Sequence, residues 1–475
     1  MTDTLTALLL DALGADAVLT DPADFDGHLR DMMPLIPAGQ PHAVVLPTDT
    51  EQVQAVVRAC ASTHVPIVPR GAGSGLTGAA NAVDGCVVLD TTRMNRILEI
   101  DPDNRLAVVE PGVVNMDLRT AVARHRLFYP PDPSSFEWCT LGGNIATNAG
   151  GLCCGKYGVT ADAVLGLEAV LADGTLLRTG RRTVKGVAGY DLTRLLVGSE
   201  GTLGVITRAT LALKPLPQAP STLFATFDSI EAAGHAVVAS VRAGVVPSLM
   251  EIMDATSLRA CEKYLGTDLG GHLEGAAGCQ ALLLCQSDAG APTARRELAV
   301  VEQVCRDAGA DTVRVTDDLE EGRLFLAARR VCLTALEAQG ACLTEDVAIP
   351  RTRIADLITG CARISERIGL PVAVVGHAGD GNMHPTVLYD DRTPGQLATA
   401  QQAFDEILAL ALSMGGTITG EHGVGRLKRD WLEREAGPIA MRIHRDIKRA
   451  LDPGNLFNPG AMFTPHDPAE PRATA

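Results

Sequence analysis

RGAGSGLTGAA, residues 70–80, follows the apolar run VPIVP (65–69), and within it Gly73-Ser-Gly75-Leu-Thr-Gly78 matches the pattern G-x-G-x-x-G. In a dinucleotide-binding βαβ unit that pattern opens a helix at its third glycine, and an acidic residue follows about twenty positions on, at the end of the second strand. Here residues 79–85 alone separate the loop from the next strand, CVVLD (86–90), and seven residues holding Asn, Asp and Gly cannot form a crossover helix. A doubly wound dinucleotide fold does not fit, and a nicotinamide cofactor loses its support with it. The glycines serve otherwise. Gly71, Gly73, Gly75 and Gly78, with Gly85 beyond, leave consecutive backbone N–H groups exposed, and such a nest holds a diphosphate. A bare turn is the alternative reading.

Outward from this loop the chain reads as short β-rich pieces separated by Gly and Pro: AVVLP, a helix near 49–62, VPIVP, GCVVLD, RLAVVEPGVV and a helix near 115–125. Strands recur in AVLGLEAVLADGTLLRTG and LGVITRATLALKPLP, and Pro215 with Pro217 closes the region. Residues 3–19 read as one amphipathic helix and 22–40 as a loop. Residues 221–390 alternate helices (229–243, 254–264, 291–308, 319–337, 350–368) with strands (222–227, 281–286, 342–348, 371–377, 384–389). That order implies a sheet with helices on one face, an α+β layer. Helices follow over 395–414 and 427–450, LDPGNLFNPG (451–460) ends the fold, and the last ten residues read as a frayed tail. The expected divisions are an N-terminal helical arm (1–40), a domain over 41–217, a second over 218–450, and a C-terminal segment over 451–475.

A chain of 475 residues with 46% hydrophobic residues can build two or three cores. Its formal net charge of -16, without a basic patch, argues against nucleic acid as a partner. The twelve cysteines are scattered with no C-x-x-C pair, Cys153-Cys154 being the one local cluster, so reduced thiols are expected rather than a disulfide framework or iron-sulfur ligation. The N-terminus carries Asp3 where a secretory leader has positive charge, and no transmembrane segment approaches the roughly 18 apolar residues of a span. A cytoplasmic location is expected, or a peripheral one at the membrane.

VGHAGDGNMHP, residues 375–385, brackets a turn-prone run with two histidines. On a helix, residues seven apart would sit roughly 10 Å apart along the axis, too far to share an ion. On one straight strand they would face opposite ways. A two-residue turn at Asp380-Gly381 would instead pair His377 with His384 across a hairpin, Cβ atoms about 5 Å apart, which is a chelate geometry.

Two further segments complete the reading: PPDPSSFEWCTLGGNIATNAGG (130–151), with Gly142, Gly143, Gly150 and Gly151, and VGSEGTLGVIT (197–207). With RGAGSGLTG, KYGVT, GHAGDGNMHP, GEHGVG and LDPGNLFNPG, the chain resembles the FAD-linked oxidoreductases of the vanillyl-alcohol oxidase and p-cresol methylhydroxylase fold, in the glycolate oxidase flavoprotein subunit and D-lactate dehydrogenase branch. The resemblance runs from His42 to Pro459. It implies an α+β fold: an FAD-binding domain of two α+β subdomains, and a cap domain with an antiparallel sheet covered by helices. Arg70, Gly71, Ala72, Gly73, Ser74, Gly75, Thr77 and Gly78 would wrap the FAD diphosphate. Pro131, Asp132, Ser135, Thr140, Gly142, Gly143 and Asn148 would line the ribityl and isoalloxazine region. Glu200, Gly201 and Ile206 would meet the adenosine half, and Asn458 would return from the C-terminus. Members with covalently attached flavin often carry a histidine in the diphosphate loop; Ser74 stands there, so non-covalent FAD is expected.

GEHGVG, residues 420–425, by itself fits an ordinary tight turn. Beside a histidine pair its carboxylate makes a ligand set for Zn2+, or for Mn2+ or Fe2+, with positions left for substrate. The resemblance assigns His377, His384 and Glu421 to the metal and His422 to the catalytic base. Asp380 and Asn382 read as turn and supporting groups. In LAARRV (326–331) it implies a carboxylate-binding arginine, Arg329, with Arg330 the neighbouring alternative and two surface arginines the plain one. The branch acting on D-2-hydroxyglutarate has a lysine where Thr344 precedes Asp346, which favours a smaller substrate such as lactate or glycolate.

The implied activity is FAD-dependent, metal-assisted dehydrogenation of a D-2-hydroxy acid. Electrons would pass to a quinone, a cytochrome or a carrier flavoprotein. The rival readings are an FAD oxidase of the same fold acting on another alcohol, a zinc hydrolase built on His377, His384 and Glu421, and a flavoprotein subunit that works with an iron-sulfur subunit.

Overall fold

Two apolar runs, Ala43–Val45 and Ile67–Arg70, pair in parallel with Val87–Asp90 between them. Val44, Val68 and Val88 are fully buried, as strands covered on both faces require. In this computed structural model, residues 2–266 and 278–464 are described. The helix Thr50–Thr63 links the first two runs; Asp49 caps it by accepting from Gln52 N–H at 2.8 Å. From Arg70 the chain reaches Val87–Asp90 without a helix. The four-stranded sheet is completed by Val18–Leu19. Gly14 (φ +81) ends the first helix at Leu13, so residues 3–19 are not one helix but a helix, a 3-10 turn and that short strand.

A second, five-stranded antiparallel sheet runs in the order Ile97–Asp101, Leu106–Val109, Val205–Ala212, Val164–Val170, Leu176–Gly180. These elements, with residues from 421 on, form one compact unit; residues 152–157 and 217–420 form the other. The stretch 421–450, grouped by sequence with the second domain, thus belongs to the first unit. The cause is visible in its packing: Ile447 and Leu451 join the core of the five-stranded sheet, and Lys448 Nζ donates to the carbonyls of Thr202 (2.7 Å) and Phe457 (2.8 Å). The helix expected over 427–450 is Arg429–Leu451, broken at Gly437-Pro438 because proline cannot continue the ladder.

The second unit is an antiparallel sheet in the order Thr312–Thr316, Ser221–Phe227, Ala281–Ser287, Leu249–Asp254, Val372–His377, Asn382–Tyr389, Ala341–Thr344, with Val347–Ala348 also on Asn382–Tyr389. Helices cover both faces, not one. Phe224, Met253 and Leu282 pack with Leu258, Phe325 and Leu326 of helices Ala255–Leu265 and Leu319–Glu337. Their neighbours Ala225, Ile252 and Leu283 are also buried; helices Ile230–Arg242 and Thr293–Asp307 contact strands Ser221–Phe227 and Ala281–Ser287, and helix Ile354–Ile368 contacts Val372–His377. Two strands escaped the sequence pattern, Leu249–Asp254 and Thr312–Thr316. Among the described residues the cysteines form no disulfide. Among the described residues no helix is long and apolar enough to cross a membrane; the tail expected over the last ten residues lies outside them.

Candidate active site

His377 ends Val372–His377 and His384 lies in Asn382–Tyr389, but they are not cross-strand partners. His377 stands opposite Asn382, and Val375 opposite His384. The connection is the four-residue loop 378–381 rather than a two-residue turn. Gly381 N–H donates to the His377 carbonyl at 2.9 Å, and Asp380 Oδ1 accepts from Asn382 N–H at 3.0 Å. The register is displaced by an even number of residues, so both histidines still face the same side of the sheet, now as diagonal neighbours. Their rings lie 5.1 Å apart and nearly perpendicular, with Nε2 atoms 3.3 Å apart, both buried.

Behind them stands Glu251, fully buried at the centre of Leu249–Asp254 and directly opposite His377. Its Oε1 meets His377 Nδ1 at 2.6 Å, and its Oε2 accepts from Arg329 Nε at 2.6 Å. A carboxylate on Nδ1 fixes the tautomer in which Nε2 carries the lone pair. Among the described residues the Arg329 Nη groups make no hydrogen bond, while Arg330 is exposed on the same helix. Sequence reasoning missed Glu251; the signal was a lone glutamate inside the apolar run LMEIM. Thr344 Oγ1 meets Thr386 Oγ1 at 3.1 Å. Asp346 Oδ2 accepts from Thr419 Oγ1 (2.7 Å) and Gly420 N–H (2.9 Å), while its Oδ1 lies 3.8 Å from His384 Nδ1. A cavity of about 120 Å³ opens beside the hairpin tip, lined by Leu152, Met250, Arg351, Gly379 and His377 among others.

In the first unit the loop of residues 70–78 is braced from beneath. Arg70 is buried, and its guanidinium donates to the Gly27 carbonyl at 2.9 Å. A Cβ at Gly73 (φ +77) would come 2.1 Å from that guanidinium, so glycine there is a packing requirement. Gly71 and Gly143 meet at Thr140, which precedes the helix Leu141–Thr147; an added Cβ would lie 2.2 Å and 3.2 Å, respectively, from Thr140 Oγ1. Thr140 Oγ1 is buried without a hydrogen-bond partner among the described residues. So is Asp31 Oδ2, which faces Gly75. Ala72 and Ser74 are half-buried within the same loop.

The remaining residues of the expected cofactor set serve the scaffold in part. The Pro131 carbonyl accepts from Asn115 Nδ2 at 3.1 Å. Asp132 follows it, and the Ser135 carbonyl accepts from Cys139 N–H at 2.8 Å. A Cβ at Gly142 would collide with Pro111 at 2.5 Å. Asn148 Oδ1 accepts from Ala161 N–H at 2.8 Å, and Ile206 packs in the core of the five-stranded sheet. Gly201 lies against Pro69.

The GEHGVG segment is tied to this loop. The Thr77 carbonyl accepts from Arg426 N–H (3.0 Å) and Leu427 N–H (3.1 Å), and the Arg426 guanidinium donates to the carbonyls of Gly78 and Ala79 and to Asn458 Oδ1. Asn458 Nδ2 in turn donates to the Ala79 (2.9 Å) and Glu200 (2.8 Å) carbonyls. The Glu200 carboxylate accepts from Val424 and Gly425; burial pushes it up to about 7 against the pull of those two amides. His422 Nε2 lies 3.8 Å from Glu421 Oε1, and both side chains are mostly covered.

Residues 41–180 match an FAD binding domain and residues 216–462 the C-terminal domain of FAD linked oxidases. The chain is 41% identical over 424 residues to glycolate oxidase subunit GlcD of Bacillus subtilis (strain 168), covering 89% of both chains. It is 35% identical over 439 residues to D-lactate dehydrogenase of Anaerostipes hadrus, covering 91% of this chain and 92% of that one. The crystal structure of p-cresol methylhydroxylase with substrate bound superposes with a TM-score of 0.79 at 21% identity, covering 98% and 97% of the two chains, which shows the shared fold. The chain therefore belongs to the FAD-linked oxidases, in the company of the glycolate oxidase subunits and D-lactate dehydrogenases.

Proposed function

We propose that this FAD-linked oxidase oxidises a small D-2-hydroxy acid, lactate or glycolate, to the 2-oxo acid, with non-covalent FAD and a divalent ion held by His377, His384 and Glu421. Electrons then pass to a quinone, a cytochrome or a carrier flavoprotein. The observation that carries this reading is the buried histidine pair backed by Glu251 in a chain whose other half is an FAD-binding domain.

The residues fit both groups. Two nitrogens about 2.0–2.1 Å from a tetrahedral Zn2+ stand about 3.3 Å apart, which matches the 3.3 Å between the Nε2 atoms. Glu421 follows Gly420, whose amide is held by Asp346. For the flavin, the Thr140 hydroxyl between Gly71 and Gly143, buried and without a hydrogen-bond partner among the described residues, offers a polar contact beside a backbone free of side chains. Bound FAD supplies the hydride acceptor. A bound divalent ion supplies polarisation of the substrate hydroxyl.

This chain's residues do the rest. The Arg329 Nη groups take the substrate carboxylate in a charge-assisted pair while Nε stays on Glu251. His422 accepts the hydroxyl proton as general base. Thr344, hydrogen-bonded to Thr386, supplies no cation for a second carboxylate, which supports a monocarboxylate substrate.

The test is anaerobic mixing of metal-replete and chelator-treated protein with D-lactate or glycolate. Flavin bleaching that depends on the metal is expected. Equal bleaching rates in the two preparations would remove the metal from the reaction, and absence of bleaching by either acid would remove the substrate class.

A further inference from the structure

Two buried carboxylates hold the segment Thr419–Gly425, one near each end. Asp346 Oδ2 takes Thr419 Oγ1 and Gly420 N–H at 2.7 and 2.9 Å. Glu200 Oε1 takes Val424 N–H and Oε2 takes Gly425 N–H, each at 2.7 Å. Glu421 and His422 lie between these anchors. Gly423, at φ +89, is the point where the carboxylate comes in under the loop: a Cβ there would stand 2.8 Å from Glu200 Oε1. Glu200 itself has φ +50, a left-handed conformation that a residue with a side chain seldom adopts, beside Gly198 (φ +76) and Gly201 (φ +68). Glycine would make this turn with less strain, so the strain at Glu200 is set against what its side chain binds.

We propose that Glu200 is a positioning residue, whose carboxylate fixes the backbone immediately after His422 and so presents the imidazole in one orientation. This rests on the reading of His422 as base. One carboxylate gripping two successive amides defines both the position and the tilt of that peptide, because each oxygen has its own donor. Without it, Val424 and Gly425 lose two hydrogen bonds. A displacement of about 1 Å in a reacting group costs on the order of 10²-fold in rate. The competing role, a contact with the adenosine half of FAD, makes a different demand: it would register in cofactor affinity.

The test uses the full-length protein with Glu200→Gln, Glu200→Ala and, in parallel, His422→Ala. FAD affinity is read by fluorescence titration of deflavinated protein. Flavin reduction by the better of D-lactate and glycolate is read for its limiting rate and half-saturation, and the Val424 and Gly425 amides by hydrogen-deuterium exchange. Faster exchange at those amides is expected, with FAD affinity and half-saturation within about threefold of the parent. The limiting rate should fall about tenfold for Gln, which keeps one acceptor, and about 10²-fold for Ala. Should Glu200→Ala not fold, Glu200→Gln decides by the same measures. Parental exchange at both amides overturns the proposal. So does weakened FAD binding with a parental limiting rate at saturating FAD, which makes Glu200 a cofactor contact. If His422→Ala itself reduces flavin at the parental rate, the base assignment falls, while the exchange measurement still decides whether Glu200 holds the loop.

Discussion

His377 Nε2 and His384 Nε2 stand 3.3 Å apart although the two residues are offset by two positions along their hairpin. Direct cross-strand partners would bring the Cβ atoms closest; a diagonal pair instead lets long, planar side chains converge at their tips. The convergence is held by Glu251, which fixes His377 by its Nδ1 and leaves Nε2 pointing at its neighbour.

From that pair follows a separation of two classes of variant. His377→Ala and His384→Ala should each lower metal content by more than tenfold and slow flavin bleaching with it, FAD remaining bound. His422→Ala should keep both metal and FAD yet bleach about 10² to 10⁴-fold more slowly, since the base is gone. Elemental analysis beside anaerobic bleaching checks this. A metal-poor His422→Ala protein would make His422 a ligand.

Of the glycines assigned to FAD, Gly143 allows a cleaner test than Gly73. Valine at Gly73 would meet the Arg70 guanidinium at φ +77, so its effect mixes folding with cofactor loss. At Gly143 an added Cβ meets only Thr140 Oγ1, at 3.2 Å. Gly143→Val should therefore fold with parental circular dichroism and lose FAD by at least tenfold, because its branched side chain enters the space beside the Thr140 hydroxyl. Full flavin occupancy in a folded variant would place the cofactor elsewhere.

Glu200 makes stability depend on pH in a definite direction. Burial raises its folded-state value from 4.5 to about 7, so between those values the folded protein binds more protons than the unfolded one. The contribution of this group to stability is fully present below about 4.5 and is lost as pH rises through about 7. The span corresponds to about 3 kcal/mol. Thermal unfolding of the parent should fall relative to Glu200→Gln from pH 5 to pH 8; a constant difference across that range would show no such titration.

The hairpin was legible because Asp-Gly between β-prone runs is a strong local signal, and its facing histidines survived a misread loop because strand parity has period two. Glu251 was not legible as a partner: it sits on a strand that the pattern missed, and its contact with His377 spans 126 positions. The grip of Glu200 on Val424 spans 224. The resemblance could suggest an adenosine contact for Glu200, but the tie to the loop after His422 exists only in three dimensions. The same holds for Arg426, which no local pattern distinguished from the other arginines of its segment, yet which binds the carbonyls behind the glycine loop.

Arg329 carries two duties that substitution can separate. Its Nε pairs with the fully buried Glu251, and its Nη groups are the ones left for a substrate carboxylate. Alanine removes both: an uncompensated carboxylate stays buried, a loss of about 3–5 kcal/mol, and His377 loses its support along with it. Lysine keeps a cation that can reach Glu251 but cannot present two parallel N–H donors to a second carboxylate. Arg329→Lys should therefore retain most of the stability and metal content while kcat/KM for the hydroxy acid falls by about tenfold or more, through KM more than through the rate of bleaching. Arg329→Ala should lose stability, metal and activity together. Thermal unfolding, elemental analysis and steady-state kinetics on the two variants read these apart. If lysine leaves kcat/KM untouched, the guanidinium is a brace for Glu251 alone, and the substrate carboxylate is bound by another cation.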